Sequence, residues 1–219
     1  MSILSNYTPE CLVRCKVSAK VEDLDHRGLE MAPEVYAERL KMAARIAHLD
    51  VYRATTHNKG IMNGIDAVVQ STGNDFRAIE ACAHAYAARD GQYRSLTNIE
   101  IKDGVFNFAI EIPLALGTVG GLTSLHPLAR VSLDILGNPK ASKLMEVAAC
   151  IGLTQNFGAL NSLVTSGIQK GHMKMHLFNI LNHFKANEKE RTEAKTFFSS
   201  RVVSFNAVKE FLGGLRKYH

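Results

Sequence analysis

The chain has 219 residues, with 26 lysines and arginines against 21 aspartates and glutamates, nine histidines and a net charge of +5. Its 46% hydrophobic content excludes a disordered chain, and its length suits one well-filled core or one domain with a small appendage. No apolar run reaches the roughly 18 residues of a spanning helix, and Met1-Ser2-Ile3-Leu4-Ser5-Asn6 has neither the basic nor the apolar part of a signal peptide, so a soluble cytoplasmic protein without a membrane partner is expected.

In chain order, Cys11 to Ala19 alternates in polarity and predicts a strand. Pro33 opens a helix over Glu34 to His48, with Tyr36, Leu40, Ala43, Ala44 and Ala47 on one face. The polar stretch Arg53 to Gly60 predicts a loop, and Ile61 to Gln70 a helix. Gly73-Asn74-Asp75 then opens a helix to about Arg89, so rich in alanine (Ala78, Ala81, Ala83, Ala85, Ala87, Ala88) that close packing on several sides, hence a central position, is expected. Ser95 to Ile101 and Val105 to Leu114 predict two strands joined through Asp103-Gly104, a strong hairpin signal. After the glycine-rich loop Gly117-Thr118-Val119-Gly120-Gly121 the pattern is helical: Pro127 to Leu136, Ser142 to Gly152, Gln155 to Ser166, His172 to Phe184, and two amphipathic helices at the end.

Charge is scattered. The densest run, Lys185 to Lys195, mixes signs and predicts a solvated helix face, so nucleic acid is not an expected partner. Cys11, Cys15, Cys82 and Cys150 lack metal or redox spacing and are expected as reduced packing residues.

Single features carry limited chemistry. His172 and His176 have the i, i+4 spacing of metal ligands, but the glutamate of H-E-x-x-H is absent and no metal is expected. His172 could instead serve as a proton donor at a helix N-terminus, or be an ordinary surface histidine. Gly117 to Gly121 departs from G-x-G-x-x-G and on its own predicts a tight turn. Lys59 could stabilise a developing oxyanion if a carboxylate such as Asp75 holds it, although Asp75 read alone is a helix cap.

The literal strings say more. His57-Asn58-Lys59-Gly60-Ile61-Met62-Asn63-Gly64-Ile65-Asp66, Thr72-Gly73-Asn74-Asp75-Phe76-Arg77-Ala78, Gly117 to Gly121, Gly152-Leu153-Thr154-Gln155-Asn156-Phe157 and Gly167-Ile168-Gln169-Lys170-Gly171-His172-Met173 closely resemble 3-hydroxy-3-methylglutaryl-CoA (HMG-CoA) reductase of the bacterial type, class II. The resemblance runs along essentially the whole chain, in the right order. It implies reduction of HMG-CoA to mevalonate and CoA by two molecules of NADPH or NADH, or the reverse, in the mevalonate route to isoprenoids.

By that resemblance, Lys59 would stabilise the oxyanion, Asp75 would be hydrogen-bonded to it, and His172, on a mobile C-terminal flap, would protonate the departing CoA thiolate. Arg53 would hold the HMG carboxylate, Asn63 would join the catalytic hydrogen bonds, and Gln155 and Asn156 would lie along the CoA channel. Gly117, Thr118, Val119, Gly120, Gly121 and Asn6 would contact the cofactor.

The expected fold is α+β. Residues 1–166 would be the C-terminal part of the large catalytic domain, with a central Ala-rich helix, and residues 167–219 a three-helix flap. The family's N-terminal region carries an E-N-x-x-G-type glutamate and a small domain with a D-A-M-G-x-N string. Neither string occurs here. The chain is therefore expected to be a fragment or split subunit, inactive alone, working with a complementing N-terminal half or as a homo-oligomer. The alternative is a non-catalytic remnant that binds CoA thioesters or assembles with a full-length relative.

Overall fold

A computed structural model describes residues 1–24, 31–165, 167–199 and 201–217, with the backbone alone for residues 124, 168–175 and 217. Two compact units, Met1–Val164 and Thr165–His219, divide the chain.

The first unit is built on an antiparallel sheet in the order β1-β3-β2, with β1 Leu12–Lys20, β2 Thr97–Lys102 and β3 Val105–Pro113. The hairpin turn is the expected one. Asp103 (φ 51°) and Gly104 (φ 73°) both take left-handed backbone, the conformation a two-residue turn needs to match strand twist. The register sets Val13 opposite Ile112, Cys15 opposite Ile110 and Ile99 opposite Phe108. Alternation therefore gathers these side chains and Phe106 on one face, where they enter the main core. Helix α1, Pro33–Leu49, starts at Pro33 and buries Tyr36, Ala37, Leu40, Ala43 and Ala44 in the same core, with Ala47 also buried.

Helix α2 corrects the expected loop at Arg53 to Gly60, because it spans Val51–Ser71 without a break. Its start is set by Asp50, whose carboxylate accepts from the N–H groups of Tyr52 and Arg53. The polar residues that suggested a loop divide by face. His57 and Asn58 point inward and are buried, while Thr55, Thr56 and Lys59 point outward.

The two helices expected at Ser142 to Gly152 and Gln155 to Ser166 are one helix. After the short helices α4 (Gly121–Leu125) and α5 (Pro127–Ile135), α6 runs over Ala141–Val164. Gly152 does not break it; it lets α6 approach α2. A Cβ on Gly152 would lie 2.7 Å from Cγ1 of Ile65, and one on Gly64 would lie 2.9 Å from Cβ of Gln155 and 3.0 Å from the Ile151 carbonyl oxygen. By length and composition α6 would pass as a membrane span, yet Leu144, Ala148, Ala149, Gly152, Leu153 and Leu160 are buried within this unit. Gly64→Ala should therefore cost about 1–3 kcal/mol, because a backbone oxygen must move. Gly60→Ala, with nothing within 4 Å of its added Cβ, should be neutral or stabilising. Chemical denaturation of the two variants, compared with the parent, checks both signs.

The Ala-rich helix, α3 (Phe76–Ala87), is not enclosed on all sides. It buries Ile79, Cys82, Ala83, Tyr86 and Ala87, and leaves Ala81 and Ala85 exposed. Its small residues on that side meet no partner among the described residues, so the expected central position is corrected to a helix packed on one face.

The cysteine expectation is also only partly met. All four are unpaired thiols, but only Cys82 is buried, and Cys150 is exposed.

The second unit holds α7 (Ile168–His183), α8 (Glu188–Phe197) and α9 (Phe205–Lys217). Their core is Leu177, Ile180, Leu181, Ala194, Phe198, Val208 and Leu212. Asn187 and Glu190 form a reciprocal capping box at the start of α8. Arg216 then ties α9 to Glu190 at 2.7 Å. Helix α7 begins four residues before the expected start at His172.

Candidate active site

Helix α2 sorts the H-N-K-G string by direction. Asn58 is fully buried, donating from Nδ2 to the Arg94 carbonyl (2.7 Å) and accepting from the Leu96 N–H (3.0 Å). His57 lies 2.7 Å, through Nε2, from Thr97 Oγ1, which donates to Asn156 Oδ1 at 3.0 Å. Because that hydroxyl proton is committed to Asn156, His57 must donate from Nε2. Its Nδ1 is then left buried without a partner. Burial, with the nearby Arg53 charge second, pushes His57 down to about 3. These two residues are anchors that lock α2 to the start of β2.

Lys59 is the outward member. It is exposed and makes no hydrogen bond or ion pair among the described residues. Asn63, also exposed, is one helical turn further along the same face. Gln155, exposed on α6, places its Cβ against Gly64 beside it. Lys59 and Asn63 thus share an exposed face of α2, whereas Gln155 meets α2 at Gly64, about 100–140° round the helix from them. Arg53 lies two turns before Gly60, half-buried, with Nε buried and unpartnered. Burial holds its guanidinium below the usual range. A half-sequestered arginine with an unused donor suits a carboxylate.

The expected hydrogen bond between Lys59 and Asp75 is not made. Asp75 caps α3, accepting from the N–H groups of Arg77 (3.0 Å) and Ala78 (3.4 Å), and pairs with the Arg77 guanidinium at 3.2 Å. The Arg77 hydrogen bond, above all, holds its carboxyl below the ordinary range. The neighbouring Asn74 N–H closes on the Val69 carbonyl, which is about 15 Å of helix rise from Lys59. A lysine side chain spans less than half of that, so Lys59, near the middle of α2, does not reach Asp75 beyond its C-terminal end. The cap reading of Asp75 is the one the fold realises.

Asn156 does not line an open channel either. It is 1% exposed and belongs to the His57–Thr97 network. The loop Gly117–Gly121 is largely exposed, with Val119 fully so. Asn74 brackets its first residue, accepting from the Gly117 N–H (2.8 Å) and donating to the Gly117 carbonyl (3.0 Å). Asn6 is exposed in the extended N-terminal segment. The backbone of His172 lies in the second turn of α7, and its side chain lies outside the described residues. No group of three or more metal-ligating side chains occurs among the described residues.

Sequence reading missed the carboxyl pair Asp66–Glu80. Asp66 is two turns along α2 from Lys59, and its Oδ1 is buried without a partner. Burial, then the Glu80 charge and hydrogen bond, push it up to about 7. The available signal was the placement of Asp66 and Glu80 on the facing sides of two consecutive helices.

Comparison with known proteins identifies the class that these strings and this fold define. The family described as hydroxymethylglutaryl-coenzyme A reductase matches residues 1–177. The chain belongs to that family. It is 48% identical, over 181 residues, to the 3-hydroxy-3-methylglutaryl-coenzyme A reductase of Archaeoglobus fulgidus, covering 82% of this chain and 40% of that protein. Among solved structures it is similar to the class II reductase of Streptococcus pneumoniae bound to NADPH in open conformations (TM-score 0.70, 38% identity, 97% of this chain and 51% of that one). A second structure of the pneumococcal reductase matches over the same shares with a TM-score of 0.71. The chain therefore spans two-fifths to one-half of the length of these relatives.

Proposed function

We propose that this chain carries the lysine-bearing part of the catalytic centre of an HMG-CoA reductase, a soluble cytoplasmic enzyme converting HMG-CoA to mevalonate and CoA, or the reverse. The observation that carries the reading is Lys59: an exposed, uncommitted ammonium inside a string whose preceding two residues are buried anchors. An ammonium held on a rigid helix can face the negative charge that develops on a thioester or aldehyde oxygen at each hydride addition. NADPH or NADH supplies the hydride when bound, and the exposed backbone of Gly117 to Gly121 is this chain's surface toward it, with Asn6 a further contact by family analogy.

Arg53 fits the HMG carboxylate through its unused Nε. Asn63 sits where it can orient an oxygen held by Lys59, and Gln155 is placed to touch the CoA portion. Asn156 acts through Thr97 and His57, as a positioning residue. His172 would give its proton to the CoA thiolate, on a helical unit serving as the flap. Asp75 cannot serve Lys59 of its own chain in this conformation. A homo-oligomer, in which Asp75 approaches the site from another copy, accounts for the separation.

The test is HMG-CoA-dependent oxidation of NADPH and of NADH, by the 219-residue chain alone and with the N-terminal portion of the Archaeoglobus relative supplied in trans. The chain alone should be inactive, because it lacks the glutamate string, and a lost proton donor costs about 100- to 10,000-fold. The mixture should turn over. Binding of HMG-CoA without turnover in any mixture would sink the catalytic reading.

A further inference from the structure

Cys15 and Cys150 are 135 residues apart in sequence, yet their sulfur atoms lie 3.1 Å apart. Cys15 sits on β1 opposite Ile110, half-buried at the rim of the core. Cys150 is on α6, exposed, one and a half turns before Gln155. A disulfide needs about 2.05 Å between sulfurs, so closing the pair requires a movement of only about 1 Å, with both thiols already in contact. Neither thiol contributes to the lysine site, and the other two cysteines are not drawn in: Cys82 Sγ accepts from the Thr8 N–H, and Cys11 has no thiol neighbour among the described residues.

We propose that Cys15 and Cys150 form a reversible disulfide that staples α6 to β1 when the chain meets a small-molecule disulfide such as oxidised glutathione. The order of events follows from accessibility. Burial, above all, pushes the Cys15 thiol up to about 11, so Cys15 is the poorer first nucleophile. The exposed Cys150 thiolate attacks one sulfur of the small disulfide and expels the first glutathione thiolate. Cys15 then loses its proton to water and attacks the Cys150 sulfur of the mixed disulfide, expelling the second. The two protein thiols lose two electrons and two protons, and the small disulfide leaves as two thiols. The bond would fix the distance between the sheet and the helix whose Gly152 packs on α2, which is the layer that presents Lys59 and Gln155.

The experiment treats the native chain with oxidised glutathione, quenches it with an alkylating reagent and maps it with trypsin without reduction. Cleavage after Arg14 and Lys16 separates Cys11 from Cys15, and no lysine or arginine falls between Lys143 and Lys170, so Cys150 stays on one peptide. The expected product is the dipeptide Cys15-Lys16 bound to residues 144–170, lost on reduction, with a higher thermal midpoint for the oxidised chain that disappears in Cys150→Ser. Cys15→Ser should instead retain glutathione on Cys150. If that variant does not fold, Cys150→Ser provides the second arm, in which Cys15 must stay unmodified. Alkylation of both thiols in the treated parent, a persistent glutathione adduct on its Cys150, or a bond between two chains would each overturn the proposal.

Discussion

Lys59→Ala is expected to lower kcat for HMG-CoA reduction by at least about 100- to 1,000-fold, the cost of removing one preorganised oxyanion donor. The measurement is made on the complemented protein, with NAD(P)H consumption as the readout. Two features make the loss specific to chemistry. Lys59 is exposed and makes no hydrogen bond or ion pair among the described residues, so the variant should keep the parent's stability. Reduction of free mevaldehyde should fall as well, because that carbonyl also develops negative charge. His172→Gln should behave differently, sparing mevaldehyde, which releases no thiolate. Asn58→Ala is the contrasting neighbour. It leaves the Leu96 N–H buried without an acceptor, so its damage should appear as a lost fold, costing about 1–3 kcal/mol. A Lys59→Ala protein with near-parental turnover would remove Lys59 from the reaction.

Acid should destabilise the first unit through His57. Its folded value, about 3, is depressed below the ordinary 6.5 because the imidazole is 2% exposed. In the unfolded chain it takes up a proton near 6.5, while the folded protein refuses it until about 3. The contribution is therefore complete above pH 6.5 and is lost as pH falls through that window, at up to about 1.4 kcal/mol per pH unit and on the order of 4–5 kcal/mol in total. Asp66 works in the opposite sense. Its folded value is raised to about 7, so the stability it brings is complete below the ordinary 3.8 and is lost as pH rises from there through about 7. Acid titration of the near-ultraviolet tyrosine signal should thus show a steep limb in the parent and a shallower one in His57→Gln. Measured against the parent, Asp66→Asn should therefore be more favourable at pH 8 than at pH 5. Nuclear magnetic resonance of the His57 ring provides a direct check: a midpoint near 6.5 in the folded protein would refute the linkage.

Redox, acid and packing effects in this chain all arise where distant residues meet, and that marks the boundary of what the sequence by itself determined. Asp103-Gly104, the alternation of β1 and β3, Pro33 at the start of α1 and Asp75 as a cap act over a few residues, so their consequences could be read from local pattern. The family strings likewise identified the chain's kinship. Tertiary structure alone decided the rest. Arg53 to Gly60 looks like a loop by polarity, but becomes helix because Asn58 and His57 find partners at Arg94, Leu96 and Thr97. Gly152 looks like a helix end, but continues α6 because Ile61 and Ile65 occupy the space its missing side chain leaves. Asn156, taken as a ligand contact, is turned inward by Thr97. Asp75 is separated from Lys59 by the uninterrupted rise of α2. In the first three cases a buried polar group or a close backbone approach is satisfied by a residue tens of positions away, and such pairings have no signature in a local window.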